Sequence, residues 1–146
     1  MAESTATPVP MTLDEIKEAF SWFDDWEDKY RFVIDLGKEL PELPAEFRTE
    51  DHLVRGCQSQ VWLHTRAAPD SGALELNLDS DAHIVRGLIA IVLALYQGRQ
   101  PDQILAMDVE SEFAELDLLS HLSPTRGNGL RAMIERIRAE AERYAA

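Results

Sequence analysis

From Gly87 to Tyr96 the sequence reads GLIAIVLALY, a run without a single charge. In the longer segment LDSDAHIVRGLIAIVLALYQG, residues Ile84, Leu88, Ile91, Val92 and Leu95 recur at helical spacing, and apolar side chains cover most of the helix circumference. A helix of this kind must be covered on nearly every side, so it belongs at the centre of a domain, against a second layer. It is too short to span a bilayer, which takes about 18 or more consecutive apolar residues. Asp79, Ser80 and Asp81 suit the helix start and Gly98 its end.

The second layer is announced by a change of period. In VWLHTR, residues 61–66, Val61, Leu63 and Thr65 alternate with Trp62, His64 and Arg66, which is strand spacing. The turn-rich AAPDSG at 67–72 leads to ALELNL, where Leu74, Leu76 and Leu78 alternate with Ala73, Glu75 and Asn77. The two runs predict an antiparallel hairpin. A shorter strand around Leu53–Arg55 is expected beside it, leaving Gly56 to Ser59 in the connection.

Helices are predicted on both sides of this sheet. TLDE carries a capping-box pattern from Thr12 to Glu15, and Leu13, Ile16, Phe20 and Phe23 follow on one face, giving a helix over 13–23. Asp24 and Asp25 open a second, with Trp26, Tyr30, Val33 and Ile34 sharing a face until Gly37 and the Pro41–Pro44 pair stop it. Short helices follow Pro101 and Val109. The last helix has Ser123 as cap and Pro124 in its first position, with Leu130, Met133, Ile134, Ile137 and Ala141 inward and Arg131, Glu135, Arg136, Arg138 and Glu140 on a solvated face. The expectation is an α+β fold, a small antiparallel sheet of about three strands packed against helices. Residues 1–11, with small polar side chains and two prolines, are expected to form a flexible tail and 12–146 a single domain.

Charge and cysteine content narrow the function. With 27 acids against 14 lysines and arginines, the chain carries a net charge of −13 and has no concentrated basic face for nucleic acid or an anionic membrane. The N-terminus lacks the basic and apolar regions of a signal peptide, which makes the cytoplasm the expected compartment. A single cysteine, Cys57, rules out an intramolecular disulfide and any metal site needing two thiolates. His52, His64, His83 and His121 show no metal-ligand spacing, so no metal site is expected. A cysteine–histidine protease would need one of these histidines, and nothing selects it.

Cys57 lies in VRGCQSQVWL, between glycine and polar residues at the tip between two expected strands rather than on an apolar face. A lone cysteine is commonly a small buried hydrophobe, but a loop is where chemistry is carried, and Arg55 is placed to favour the thiolate. GCQSQVWL resembles the active-site motif of the SufE family of sulfur-acceptor proteins, which partner cysteine desulfurases in iron–sulfur cluster assembly. DSDAHIVRGLIAIV at 79–92 and HLSPTRGNGLRAMI at 121–134 resemble two further blocks of that family, in the family's order. The resemblance runs from about residue 12 to the C-terminus.

The resemblance implies the fold shared with U-type iron–sulfur scaffold proteins, and a single thiol argues for a carrier rather than a scaffold. It implies that Cys57 accepts sulfur from the persulfide of a desulfurase of the SufS or CsdA type, stimulates that enzyme, and passes sulfur on to an iron–sulfur scaffold. The protein would be an accessory, with no cofactor of its own; the pyridoxal phosphate resides on the partner. Arg55, Gly56, Gln58 and Ser59 are candidate supports of the cysteine loop. Gly56 is equally a turn residue and Gln58 and Ser59 ordinary loop polars. Arg126 and Asp81 are candidates for partner contact or loop support, against readings as a solvated arginine and a first-turn helix charge. Two other functions use the same residues: a redox-sensing or regulatory thiol protein, and an interaction domain with a structural cysteine.

Overall fold

The structure, a computed structural model, describes residues 6–54 and 59–145. Among these residues six α-helices pack with one hairpin: α1 (Leu13–Trp22), α2 (Trp26–Lys38), β1 (Val61–Ala67), β2 (Leu74–Ser80), α3 (His83–Tyr96), α4 (Pro101–Ala106), α5 (Val109–Leu116) and α6 (Pro124–Ala145). The α+β class is as expected. Among the described residues the sheet has two strands rather than three, antiparallel, with Val61 opposite Ser80 and Ala67 opposite Leu74. The segment expected as a third strand makes one bridge, Leu53 to Trp62, and one hydrogen bond, Val54 N–H to Val61 C=O at 2.8 Å. A 3-10 turn at Glu50–His52 runs up to Leu53 and leaves too little extended chain before it for a ladder.

The centre is α3, whose residues Ile89 to Val92 are wholly buried. Leu74, Leu76 and Leu78 of β2 join it in one core with Val33 and Leu36 of α2, Phe113 of α5, and Leu130, Met133 and Ile137 of α6. The other face of the hairpin is covered as well. Phe47 lies flat on His64, with ring centroids 4.0 Å apart, and the Arg48 guanidinium lies over the Trp62 ring. This cover explains why Asn77 and Asp79 are buried on strand positions that alternation would expose.

Several boundaries differ from the sequence reading for local reasons. α1 stops at Trp22, capped at Phe23, and its Thr12–Glu15 capping box is formed. Gly37 lies inside α2, where it serves close packing: a Cβ there would meet Gly87 N of α3 at 2.6 Å. α3 begins at His83 because Asp79 and Ser80 remain in β2. Glu140, assigned to a solvated face, is buried: it accepts from Thr65 Oγ1 at 3.1 Å and pairs with Arg136 and Arg143. In the segment read as a tail, Thr7 is buried on the outer edge of β2. Its N–H donates to Leu76 C=O at 2.9 Å, and its hydroxyl accepts from Leu78 N–H at 3.1 Å. The Gln97 amide closes the same edge, donating to the carbonyls of Thr7 and Leu76 and accepting from Leu76 N–H, which protects it from pairing with another chain.

Candidate functional site

Arg55, Gly56, Cys57 and Gln58 lie outside the described residues, so the site is built from what flanks them. On the N-terminal side the chain is held to β1 by the Val54–Val61 hydrogen bond. On the C-terminal side Ser59 is half-buried and Gln60 is gripped at both backbone polar groups. The Gln60 N–H donates to Asp81 Oδ1 at 3.1 Å, while its C=O accepts from the Ser80 hydroxyl at 2.7 Å and from Asp81 N–H at 3.3 Å. Asp81 thus contacts the cysteine segment directly and lies before α3 rather than in its first turn.

Beside Ser59 opens a cavity of about 320 Å³. Val61, Ile84, Leu88, Leu130 and Met133 supply its apolar lining, and Ser59, Ser123, Thr125 and Arg126 its polar groups. The fold brings these residues together in a simple way: β1 runs out of the cysteine segment, α3 lies under the sheet, and the first turns of α6 close the side. All the described residues lining the cavity come from the three sequence blocks 56–63, 79–92 and 121–134. Separated along the chain, the blocks are neighbours in space.

Ser123 caps α6, accepting from Arg126 N–H at 3.3 Å, so the arginine is fixed at a helix start with its side chain exposed. Its guanidinium stands 6.0 Å from the ring centroid of Tyr30 on α2. It lines the cavity beside the cysteine segment together with Ser59, and Asp81 holds the root of that segment. Sequence reasoning missed Ser80 and Gln60. Ser80 continues the alternation Leu74, Leu76, Leu78, and following that alternation two residues further would have placed it on the strand. No sequence signal marks Gln60.

Among the described residues there is no group of three or more His, Cys, Asp or Glu side chains placed to hold a metal ion, and no helix is long and apolar enough to cross a membrane. His52 and His64 meet at Phe47, with imidazole centroids 5.4 Å apart. Burial, and secondarily His52, hold the His64 imidazole below its ordinary pKa.

The family model described as SufE, Fe-S metabolism associated domain, matches residues 14–141. An uncharacterized SufE-like protein of Rhizobium etli is 52% identical over 137 residues, covering 92% of this chain and 93% of that protein. Another, of Rhizobium meliloti, is 50% identical over 133 residues, covering 90% and 95%. The solution structure of a hypothetical protein from Thermus thermophilus superposes with a TM-score of 0.72 over 94% of this chain and 98% of that one. At 20% identity it supports the fold alone. With a family match over most of its length and relatives at about half identity, the chain belongs to the SufE family, the domain associated with iron–sulfur metabolism.

Proposed function

We propose that the protein is a sulfur carrier of iron–sulfur metabolism, taking sulfane sulfur onto Cys57 from the persulfide of a cysteine desulfurase and handing it to a scaffold. One observation carries this reading: the three blocks that resemble the sulfur-acceptor family converge on a single cavity, and Ser59 at that cavity is two residues from Cys57. Two residues span at most about 7 Å of extended chain, and this short tether in sequence supports a reading in which the cavity serves the cysteine.

In the transfer, the Cys57 thiolate attacks the outer sulfur of the donor persulfide. A new S–S bond forms at Cys57 as the donor's S–S bond breaks, and the donor cysteine leaves as a thiolate that takes up a proton. The exchange needs no external oxidant, and its rate depends on thiolate fraction, the leaving thiol and access to the outer sulfur. The apolar lining supports a sheltering role, because a persulfide kept from water and free thiols survives until transfer. Arg126 on the cavity is suited to meet a partner or steady the cysteine segment. The desulfurase supplies the pyridoxal phosphate chemistry that makes the first persulfide.

The test is to mix the protein with a cysteine desulfurase, cysteine and a reductant, then read the mass of the Cys57 peptide and the desulfuration rate. A gain of one sulfur on Cys57 with faster turnover is expected. Stimulation by Cys57→Ser equal to wild type would overturn covalent acceptance and favour a plain docking domain.

A further inference from the structure

Trp22 ends α1 with 71% of its surface exposed, while Ile16, Ala19 and Phe20 on the inner face of the same helix are exposed by 5% or less. Those three side chains hold α1 to the core, and at an exposed helical position alanine would be the more favourable residue. Tryptophan is normally well buried, and it is enriched among the residues that carry most of the energy of protein–protein contacts. Its surroundings here are acidic. Between Leu13 and Asp28 the chain has seven carboxylates and one lysine, and that lysine, Lys17, is already bridged to Glu112 and Glu115 of α5 at 2.6 and 2.5 Å. Glu18, one turn before Trp22 on the same face of α1, is exposed, as are Asp24 and Asp25 just after it. Residues 101–120, which include α5, add six acids and no lysine or arginine.

We propose that Trp22 is the anchor of a docking surface for the cysteine desulfurase, received on the enzyme by an apolar recess ringed with lysine and arginine. The identity of the partner rests on the sulfur-acceptor reading, and the chemistry of the contact rests on Trp22 and the carboxylates around it. The corner that carries Trp22 lies near the cavity rim. Trp26, at the start of α2, stacks on His121 with ring centroids 4.4 Å apart, and one turn further on Tyr30 meets the Arg126 guanidinium. A standard interface covers about 800 Å² on each partner, enough to take in both the rim and the corner. A second copy of this chain is the poorer occupant, because it would bring two acidic faces together. A bilayer surface suits an indole, but its anionic lipids repel the same carboxylates.

The experiment titrates the full chain into a cysteine desulfurase of the same organism, supplied with cysteine and a reductant, and reads the half-saturating concentration and the maximal rate separately. Trp22→Ala should raise the half-saturating concentration about tenfold, the effect of losing a central anchor. The maximal rate, and the sulfur gained by Cys57 at saturation, should stay within about twofold of wild type, as expected when only binding is lost. Its melting temperature should not fall, because position 22 is exposed. Glu18→Gln combined with Asp24→Asn should raise the half-saturating concentration at low salt and make it less sensitive to sodium chloride. A half-saturating concentration unchanged by Trp22→Ala would overturn the proposal, and so would a lower maximal rate at unchanged half-saturation. An unchanged salt response in the double variant would overturn the charge complementarity. Light scattering on the free chain tests the other occupant: a wild-type dimer that Trp22→Ala splits would assign the tryptophan to a second copy instead. If wild type neither stimulates the desulfurase nor gains sulfur, the sulfur-acceptor reading falls and this partner with it. If wild type and Trp22→Ala stimulate alike at every concentration and both gain sulfur, only the role of Trp22 falls.

Discussion

Gly87 is where α3 touches α2 backbone to backbone, and Gly87→Ala tests whether that contact sets the architecture. A Cβ at position 87 would lie 2.2 Å from Val33 C=O and 2.6 Å from Val33 Cγ1. Ordinary non-bonded contact between heavy atoms is at about 3.5 Å, so the helices would separate locally by about 1 Å. Val33 and Leu88 are each 1% exposed and Leu36 is 3%, so the separation opens gaps around side chains with no room to repack. The cost should sit at the upper end of overpacking, about 3 kcal/mol. For a domain of this size that lowers the melting temperature by about 6–12 °C. Urea unfolding followed by far-ultraviolet circular dichroism would measure it. Val33→Ala in the same chain should not rescue the variant, because the nearer obstacle is the Val33 carbonyl, which every residue carries. Gly98→Ala serves as the contrast: its Cβ meets nothing within 4 Å, and only the positive φ of 75° opposes it, at a cost of about 1–2 kcal/mol. A Gly87→Ala loss below about 0.5 kcal/mol, the scatter of ordinary surface substitutions, or full rescue by Val33→Ala, would refute the reasoning.

The remaining predictions concern charge and the site. Because the folded state holds the His64 pKa below its ordinary value, the unfolded chain binds that proton more readily; stability is therefore full above about pH 6.5 and declines as pH falls below it. His64→Phe, which keeps a ring against Phe47, should flatten the fall in urea midpoint between about pH 6.5 and 5, and an unchanged slope would count against the assignment. Glu140→Ala should cost about 2 kcal/mol in urea unfolding, because it strands Arg136 and the Thr65 hydroxyl near the end of α6. Asp81→Ala should accelerate Cys57 alkylation without lowering the melting temperature by more than a degree or two, since the side chain is exposed and its bond ends on Gln60; an unchanged rate would remove Asp81 from loop support. Arg126→Ala should slow sulfur uptake from a desulfurase severalfold with the fold intact, and unchanged transfer kinetics would leave that arginine a surface charge.

What the sequence discloses here is periodicity, and what it conceals is proximity. The helical stripe of α6 and the alternation of β1 and β2 are legible because apolar side chains facing the core recur at a fixed interval. The role of Gly37 is not, since a glycine near a helix end reads as a stop signal, and only the close approach of Gly87 reveals it as a packing residue. Glu140 misleads for a related reason. Charged residues interleaved along a helix look solvated until a strand from another part of the chain supplies Thr65 and covers the carboxylate. Asp79 and Ser80 are good helix-start residues by type, and the strand retains them because the chain around residues 43–48 covers the face of the sheet that would otherwise meet water.

The same distinction bears on the candidate site. Cys57 and its neighbours are recognisable as a motif, but a motif gives residue identities along one stretch and says nothing about what stands opposite. The structure adds that the second block grips the root of the cysteine segment through Ser80 and Asp81, and that the third closes the cavity through the first turns of α6. On the proposed sulfur-acceptor function the three blocks would divide the work, the first as nucleophile, the second as grip and the third as wall. A substitution in the grip should change how freely the thiol is reached, whereas one in the wall should change how long a persulfide persists once formed. Met133→Ala, which enlarges the cavity from the α6 side, is accordingly expected to shorten persulfide lifetime in the presence of a small thiol while leaving the iodoacetamide rate of the free thiol near wild type. Equal effects of Met133→Ala and Ser80→Ala on both measurements would mean that grip and wall are one cooperative unit, and the division of labour would have to be abandoned.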